Sequence, residues 1–440
     1  MKKQILIVTL SIAISTACIL LILNIMERKS EAKYLGTRVQ PISELEDNPA
    51  VWGVNYPLQY EDYLKTVDQI RTRYGGSEAV ERERSPEDPR EVVAQDKLKI
   101  DERFITMWAG YAFSKDFREE RGHAYMLQDQ LYTERQKVGQ PGTCINCHAS
   151  TYVGMVKLGQ GDLEKGFHAL NKLPYVQAAQ HVDHPVSCID CHNPKDMALR
   201  VTRPAFMKGI KEFKKYQGVA NYDVNTMASR QEMRTHVCAQ CHVEYYFKGK
   251  DKTLTYPWTK GLEADNILAY YNEIGFSDWA HKLTKANVLK AQHPEFEMFS
   301  QGIHAQSGVS CVDCHMPYKK VGAAKITDHH VNSPMLKIGR SCRSCHNVSE
   351  EMLLKRVNNI QDKNHEMKDI VFDALVKFIK KLENNPSHPQ IDKLRGIQRD
   401  AQFLFDFAEA ENSNGFHAPQ ESARILLKSL HLIKKGEELL

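Results

Sequence analysis

Five copies of Cys-x-x-Cys-His run through this chain: Cys144-Ile145-Asn146-Cys147-His148, Cys188-Ile189-Asp190-Cys191-His192, Cys238-Ala239-Gln240-Cys241-His242, Cys311-Val312-Asp313-Cys314-His315 and Cys342-Arg343-Ser344-Cys345-His346. They consume ten of its eleven cysteines. A structural zinc site takes four thiolate or imidazole ligands, usually from two such pairs, and five pairs leave a remainder. A thioredoxin-like redox pair takes one motif beside a βαβ unit, and nothing here provides five of those. Covalent haem uses every atom of the motif: two thioethers tether the vinyl groups, and the histidine that follows ligates the iron. The expectation is five c-type haems between residues 144 and 346, supplying much of the core of one continuous body.

The N-terminus places that body outside the cytoplasm. After Lys2 and Lys3 comes the apolar run ILIVTLSIAISTACILLILNIM, long enough as a helix to cross a bilayer core of roughly 30 Å. A cleaved leader has a shorter apolar core and a small-residue cleavage site, so residues 1–30 read as a retained anchor. Ser15-Thr16-Ala17-Cys18 weakly resembles a lipoprotein cleavage site, but the residues after Cys18 stay apolar. Extracytoplasmic thiols form disulfides unless otherwise engaged, and covalent haem engages them.

Formal charge is +4 without a basic run, which argues against a nucleic-acid partner. Pro41, Pro49, Pro57, Pro86 and Pro89 imply loops and short helices near the start. Through the haem region, residues 31–349, Gly and Pro breakers alternate with the motifs and strands are scarce. From 350 to 440 the pattern turns helical, with Val357, Ile360, Ile370, Ala374, Phe378 and Leu382 at helical spacing, and two further amphipathic stretches follow. The expected fold is mainly α, a multihaem cytochrome c body with long C-terminal helices that offer a dimer surface.

Each iron has two axial positions. Five of nineteen histidines follow motif cysteines, leaving fourteen to close the irons. If every iron is closed, the protein is an electron relay. If one stays open, a substrate binds there.

The segments between the motifs carry a resemblance. WAGYAFSKDFREERGHAY, CAQCHVEYYF, FSDWAHKLTKANVLKAQHPEFEMFSQGIHAQSGVSCVDCHMP, TDHH and HAP, in that order, resemble the pentahaem, ammonia-forming cytochrome c nitrite reductases over nearly all of the chain after the anchor. The resemblance implies that His123 closes the third haem, His304 the fifth, His329 the second and His417 the fourth; His330, beside His329, is an alternative. The first haem is then open, with His148 as its only protein ligand. Here the chain departs from the commoner family pattern, which has lysine at that position.

The resemblance also implies a distal pocket of Arg135, Tyr245 and His293: a permanent cation for nitrite, a phenol, and a proton donor. It implies calcium held by the Glu244 carboxylate, the Gln292 side-chain oxygen and the carbonyls of Tyr245 and Lys290. The implied activity is dissimilatory reduction of nitrite to ammonium on the periplasmic side of the cytoplasmic membrane. A quinol-oxidising membrane cytochrome would be the donor, and a homodimer the assembly. Two alternatives stay open. One is a non-catalytic electron carrier whose first iron is closed by His181, His184 or His236; the other is a related reductase acting mainly on hydroxylamine or sulfite.

Overall fold

The computed structural model describes residues 2–34, 38–67, 71–74, 79–86, 88–322 and 324–440. Helix α1 (Lys2–Tyr34) contains the apolar run, Lys2–Met26, with mean hydropathy 2.8 and no part packed against the rest of the chain. At about 1.5 Å rise per residue it is long enough to cross a membrane. The expected prolines start helices: Pro49 and Pro57 occupy first positions of Pro49–Asn55 and Pro57–Leu64, where a missing N–H costs nothing.

Among the described residues the body is a mosaic of short helices with four two-stranded antiparallel ribbons: β1 (Ala79–Glu81) with β2 (Val92–Ala94), β3 (Tyr246–Lys248) with β4 (Thr253–Thr255), β5 (Trp279–Ala280) with β6 (Asn287–Val288), and β7 (Tyr318–Val321) with β8 (Ala324–Thr327). The expectation of a mainly helical chain with few strands holds.

The motifs shape their own turns. Ser187 precedes the second and Ser310 the fourth; each hydroxyl caps the turn, while the Asp inside the motif, Asp190 or Asp313, accepts from the serine N–H. These reciprocal capping boxes fold Cys-x-x-Cys into one helical turn. The third motif closes helix α2 (Arg230–Ala239), itself started by a Ser229–Glu232 capping box.

Side chains then tie motif to motif. Arg203, 1% exposed, donates to Asp190 Oδ1 (2.7 Å) in the second motif and to the carbonyls of Asn146 (2.7 Å) and Ala149 (2.9 Å) at the first. Gln240 of the third donates to the Asp190 carbonyl, Arg234 pairs with Asp313 of the fourth, and Ser341 beside the fifth donates to the Cys314 carbonyl.

Three long helices close the chain: α3 (Glu350–Asn384), α4 (Ile391–Ala410) and α5 (Pro419–Leu439), with Ser349 capping α3. Val357, Phe378 and Leu382 are buried as their spacing predicts, but Ile370 is 55% exposed and its neighbours Val371 and Phe372 face inward instead. The tail shares its core with Phe104, Met107 and Trp108, so it is welded to the haem region.

Candidate functional site

Ten motif cysteines and Cys18 are all free of disulfides. The Cys147 side chain lies beside Cys241, and Cys238 beside Cys311, bringing the first motif to the third and the third to the fourth. Electrostatic coupling links Cys314 to Cys342 and Cys191 to Cys241. The attachment points therefore run in the spatial order one, three, four, five, with the second branching at the third.

Two imidazoles on opposite sides of one iron, each at about 2 Å, put their ring centroids roughly 6 Å apart. Three histidine pairs stand at that spacing: His192 with His329 at 6.4 Å, His315 with His417 at 6.5 Å and His304 with His346 at 6.3 Å. His123 and His242 lie close enough that the charge on one opposes the charge on the other. These are the four pairings the resemblance implies, and of the two adjacent candidates it is His329 whose ring faces His192. Backbone carbonyls hold several of these rings by Nδ1: Met197 holds His192 (2.9 Å), Thr327 holds His329 (2.8 Å) and Asn332 holds His315 (3.2 Å). Nε2 is then the nitrogen left for iron.

Among the described residues no imidazole ring stands opposite His148 at such a spacing. His181 is exposed, and His236 is clamped between Phe206 (5.5 Å) and Phe296 (6.0 Å). His148 is neighboured instead by Arg135 and His293, and burial holds it neutral, its pKa depressed to about 3.

The expected trio converges on this motif. Arg135, whose N–H is capped by Thr133, lays its guanidinium 4.8 Å from the Phe117 ring and keeps a buried Nε without a hydrogen-bond partner. Tyr245 stacks on Phe247 at 5.6 Å; burial and the neighbouring Cys144 and Cys147 hold its hydroxyl protonated well above the usual phenol range. His293 is held neutral by burial, with a pKa lowered to about 4 although the Glu119 carboxylate pulls the other way.

Three residues near the trio escape sequence reading. Lys97 pairs with Glu119 at 2.7 Å, and Glu120 Oε1 lies 3.3 Å from His148 Nδ1. The string REERGH contains both glutamates, but as letters they look like surface charge.

The expected calcium ligands also come together. Glu244 is fully buried; its Oε1 accepts from the Tyr271 hydroxyl (2.9 Å) and its Oε2 from the Gln292 N–H (2.6 Å). The Gln292 side chain reaches the Lys290 carbonyl at 3.3 Å. Burial, reinforced by Glu297 and Asp278, pushes the Glu244 carboxyl well above its usual range. Lys290 does not relieve it, because its ammonium is bound to Asp406 at 2.9 Å. A buried carboxylate so placed, ringed by neutral oxygens, fits a hard cation. Among the described residues no three His, Cys, Asp or Glu side chains form a metal-binding cluster, so such a site depends on carbonyl and amide oxygens.

A family model, cytochrome c552, matches residues 48–440. The chain belongs to the cytochrome c552 family. Cytochromes c-552 from Bacteroides fragilis and Parabacteroides distasonis are 38% and 37% identical to it, each match covering 92% of this chain and 79% and 78% of the relative. A solved structure of the cytochrome c nitrite reductase catalytic subunit from Desulfovibrio desulfuricans, described with two calcium sites, superposes with TM-score 0.77 at 29% identity over 91% of this chain and 87% of that one. The resemblance read from the motif-flanking strings and the multihaem fold expected from it both stand for this cytochrome c552 family member.

Proposed function

We propose that this chain is a nitrite reductase that takes nitrite to ammonium at the iron of the first motif: NO2⁻ + 6 e⁻ + 8 H⁺ → NH4⁺ + 2 H2O. The observation that carries this reading is the asymmetry of ligation. Three histidine pairs sit at the spacing of a closed iron, a fourth faces off at His123 and His242, and the space around the first motif holds Arg135, Tyr245 and His293 with no second imidazole at ligating spacing from His148 among the described residues.

Haem bound at these motifs would supply electrons and, at the open face, a site for the nitrogen atom. The chain supplies the rest. Arg135 offers fixed positive charge and several N–H donors to an anion and to oxygen departing as water. His293, neutral at pH 7, donates a hydrogen bond from its ring N–H and passes protons inward. Tyr245 keeps its proton and orients the bound nitrogen oxides by its O–H. Calcium at Glu244, Gln292 and the carbonyls of Tyr245 and Lys290 would lock two pocket segments together, since Tyr245 and His293 flank those ligands. The four closed sites would relay electrons in the spatial order of their cysteines.

The N-terminal segment 1–30 is proposed to anchor the protein on the periplasmic face of the membrane, within reach of a quinol-oxidising cytochrome. Residues 31–349 form the catalytic region, and 350–440 supply His417 and the surface for a homodimer. The test is ammonium formation from nitrite with a reduced dye on haem-loaded protein, together with its EPR spectrum. High-spin haem that shifts on adding nitrite supports the reductase, whereas wholly low-spin haem without turnover leaves only an electron carrier.

A further inference from the structure

Among the described residues no hydrogen bond fixes the His293 ring; the Glu119 carboxylate acts on it through charge alone. The backbone on either side therefore sets where the imidazole stands. On the C-terminal side Pro294 locks its φ, here −77°. On the N-terminal side three consecutive N–H groups are taken by three carboxylates from different parts of the chain. Lys290 donates to Asp278 Oδ2 (2.9 Å), Ala291 to Asp406 Oδ2 (2.9 Å) and Gln292 to Glu244 Oε2 (2.6 Å).

The three acids are not equivalent. Asp278 is exposed just before β5, and Glu244 is the carboxylate proposed for calcium. Asp406 is 1% exposed on α4, 115 residues beyond the N–H it accepts, and its other oxygen serves the same segment: Oδ1 accepts from the Lys290 ammonium (3.0 Å). That ammonium lies 4.9 Å from the Trp108 ring and Lys290 is 3% exposed, so neither partner has water to turn to. Charge-assisted bonds in such a place are stronger than neutral ones, and a buried ion left without its partner is strongly destabilising. Helix α4 and residues 290–291 are thereby held in one register.

We infer that Asp406 is a positioning residue for the pocket, acting through His293: from the C-terminal helices it pins residues 290–291 and so fixes the imidazole beside the first motif. The inference rests on the reading that nitrite is reduced there with His293 as proton donor. It gives the tail a task in turnover besides supplying His417, because α4 holds the backbone that carries the proton donor. A donor displaced by about 1 Å costs up to about 10²-fold in rate, while affinity for the anion, set by Arg135, changes little.

The test is a double-mutant cycle on the haem-loaded protein with Asp406→Ala and His293→Ala, read as nitrite kcat and KM together with the EPR of the high-spin haem. Asp406→Ala is expected to lower kcat by about 10- to 100-fold with KM changed by less than about threefold. It alters the high-spin signal and leaves the low-spin signals and haem content at wild type. In the His293→Ala background the same change lowers kcat by less than about threefold, because the group through which it acts is gone. Glu409→Gln removes a different ion pair of α4, the one with Lys368 (2.7 Å), and leaves kcat and the high-spin signal as they were. If Asp406→Ala does not mature with its haems, Asp406→Asn keeps the volume and an acceptor for the Ala291 N–H and removes the charge facing Lys290. Its kcat loss is smaller and likewise vanishes in the His293→Ala background. Losses that multiply in full in the double variant, or an unchanged kcat in Asp406→Ala, overturn the inference while the reductase reading stands. A wild-type protein that forms no ammonium from nitrite overturns both.

Discussion

Arg135 reaches the pocket from a short turn that begins at Thr133, and stacking on Phe117 holds its guanidinium where one N–H has no protein acceptor. An N–H left unpaired in a buried place is costly unless a ligand takes it. Replacing Arg135 with Gln is expected to lower nitrite turnover by roughly 10²–10³, the usual effect of losing a donor to developing negative charge. Haem content, read from the pyridine haemochrome, stays at the wild-type value. Glu119, next to Glu120 in the chain, pairs with Lys97 instead of facing His148. Lys97 pulls its pKa down from 4.5 to about 2. A depressed carboxylate stabilises the fold above its unfolded pKa and loses that contribution as pH falls through the folded one. Glu119→Gln is therefore expected to be less stable than the parent by about 1 kcal/mol at neutral pH, discounted for partial exposure. The difference shrinks below pH 4.5 and disappears near pH 2, as denaturant titrations at several pH values would show.

At the scale of elements, the tail and the haem region meet where the backbone permits no side chain. A Cβ on Gly302 would stand 1.9 Å from the His417 carbonyl oxygen. Gly302→Ala should push the 411–418 loop away and pull His417 from its 6.5 Å separation with His315. One low-spin haem is then lost by EPR, and stability drops by about 1–3 kcal/mol, as for other overpacked sites. The segments 244–245 and 290–293 form a second junction. Each holds two of the proposed calcium donors and one proposed pocket residue, so a chelator should lower turnover before the far-UV circular dichroism changes. Simultaneous loss of both would assign the ion to folding. Much of this level is readable from letters: serine caps, motif aspartates and initiating prolines act within four residues. Ile370 departs from its expected burial because its spacing suits either face of a helix, and the neighbours Phe104 and Phe405 against which Phe372 packs come from elsewhere in the chain.

For the whole molecule, α1 projects from the body with none of its apolar span covered. Replacing residues 2–34 with a cleavable export leader should shift the protein from the membrane fraction to the soluble periplasmic fraction on cell fractionation, with its nitrite turnover with a soluble reduced dye retained. The motif count, the haem-attachment pattern, the apolar N-terminal run and the helical tail are all local patterns, and the sequence by itself determines them. Pairing of axial ligands is different, because His417 meets His315 only after about a hundred intervening residues have packed. The two neighbouring glutamates make the same point most sharply. Lys97 holds Glu119 ionised at acid pH, while burial pushes Glu120 up to about 8 beside His148. Identical side chains one bond apart in sequence acquire opposite electrostatics because charge interactions depend on distance and solvent exclusion, and only the tertiary structure sets those.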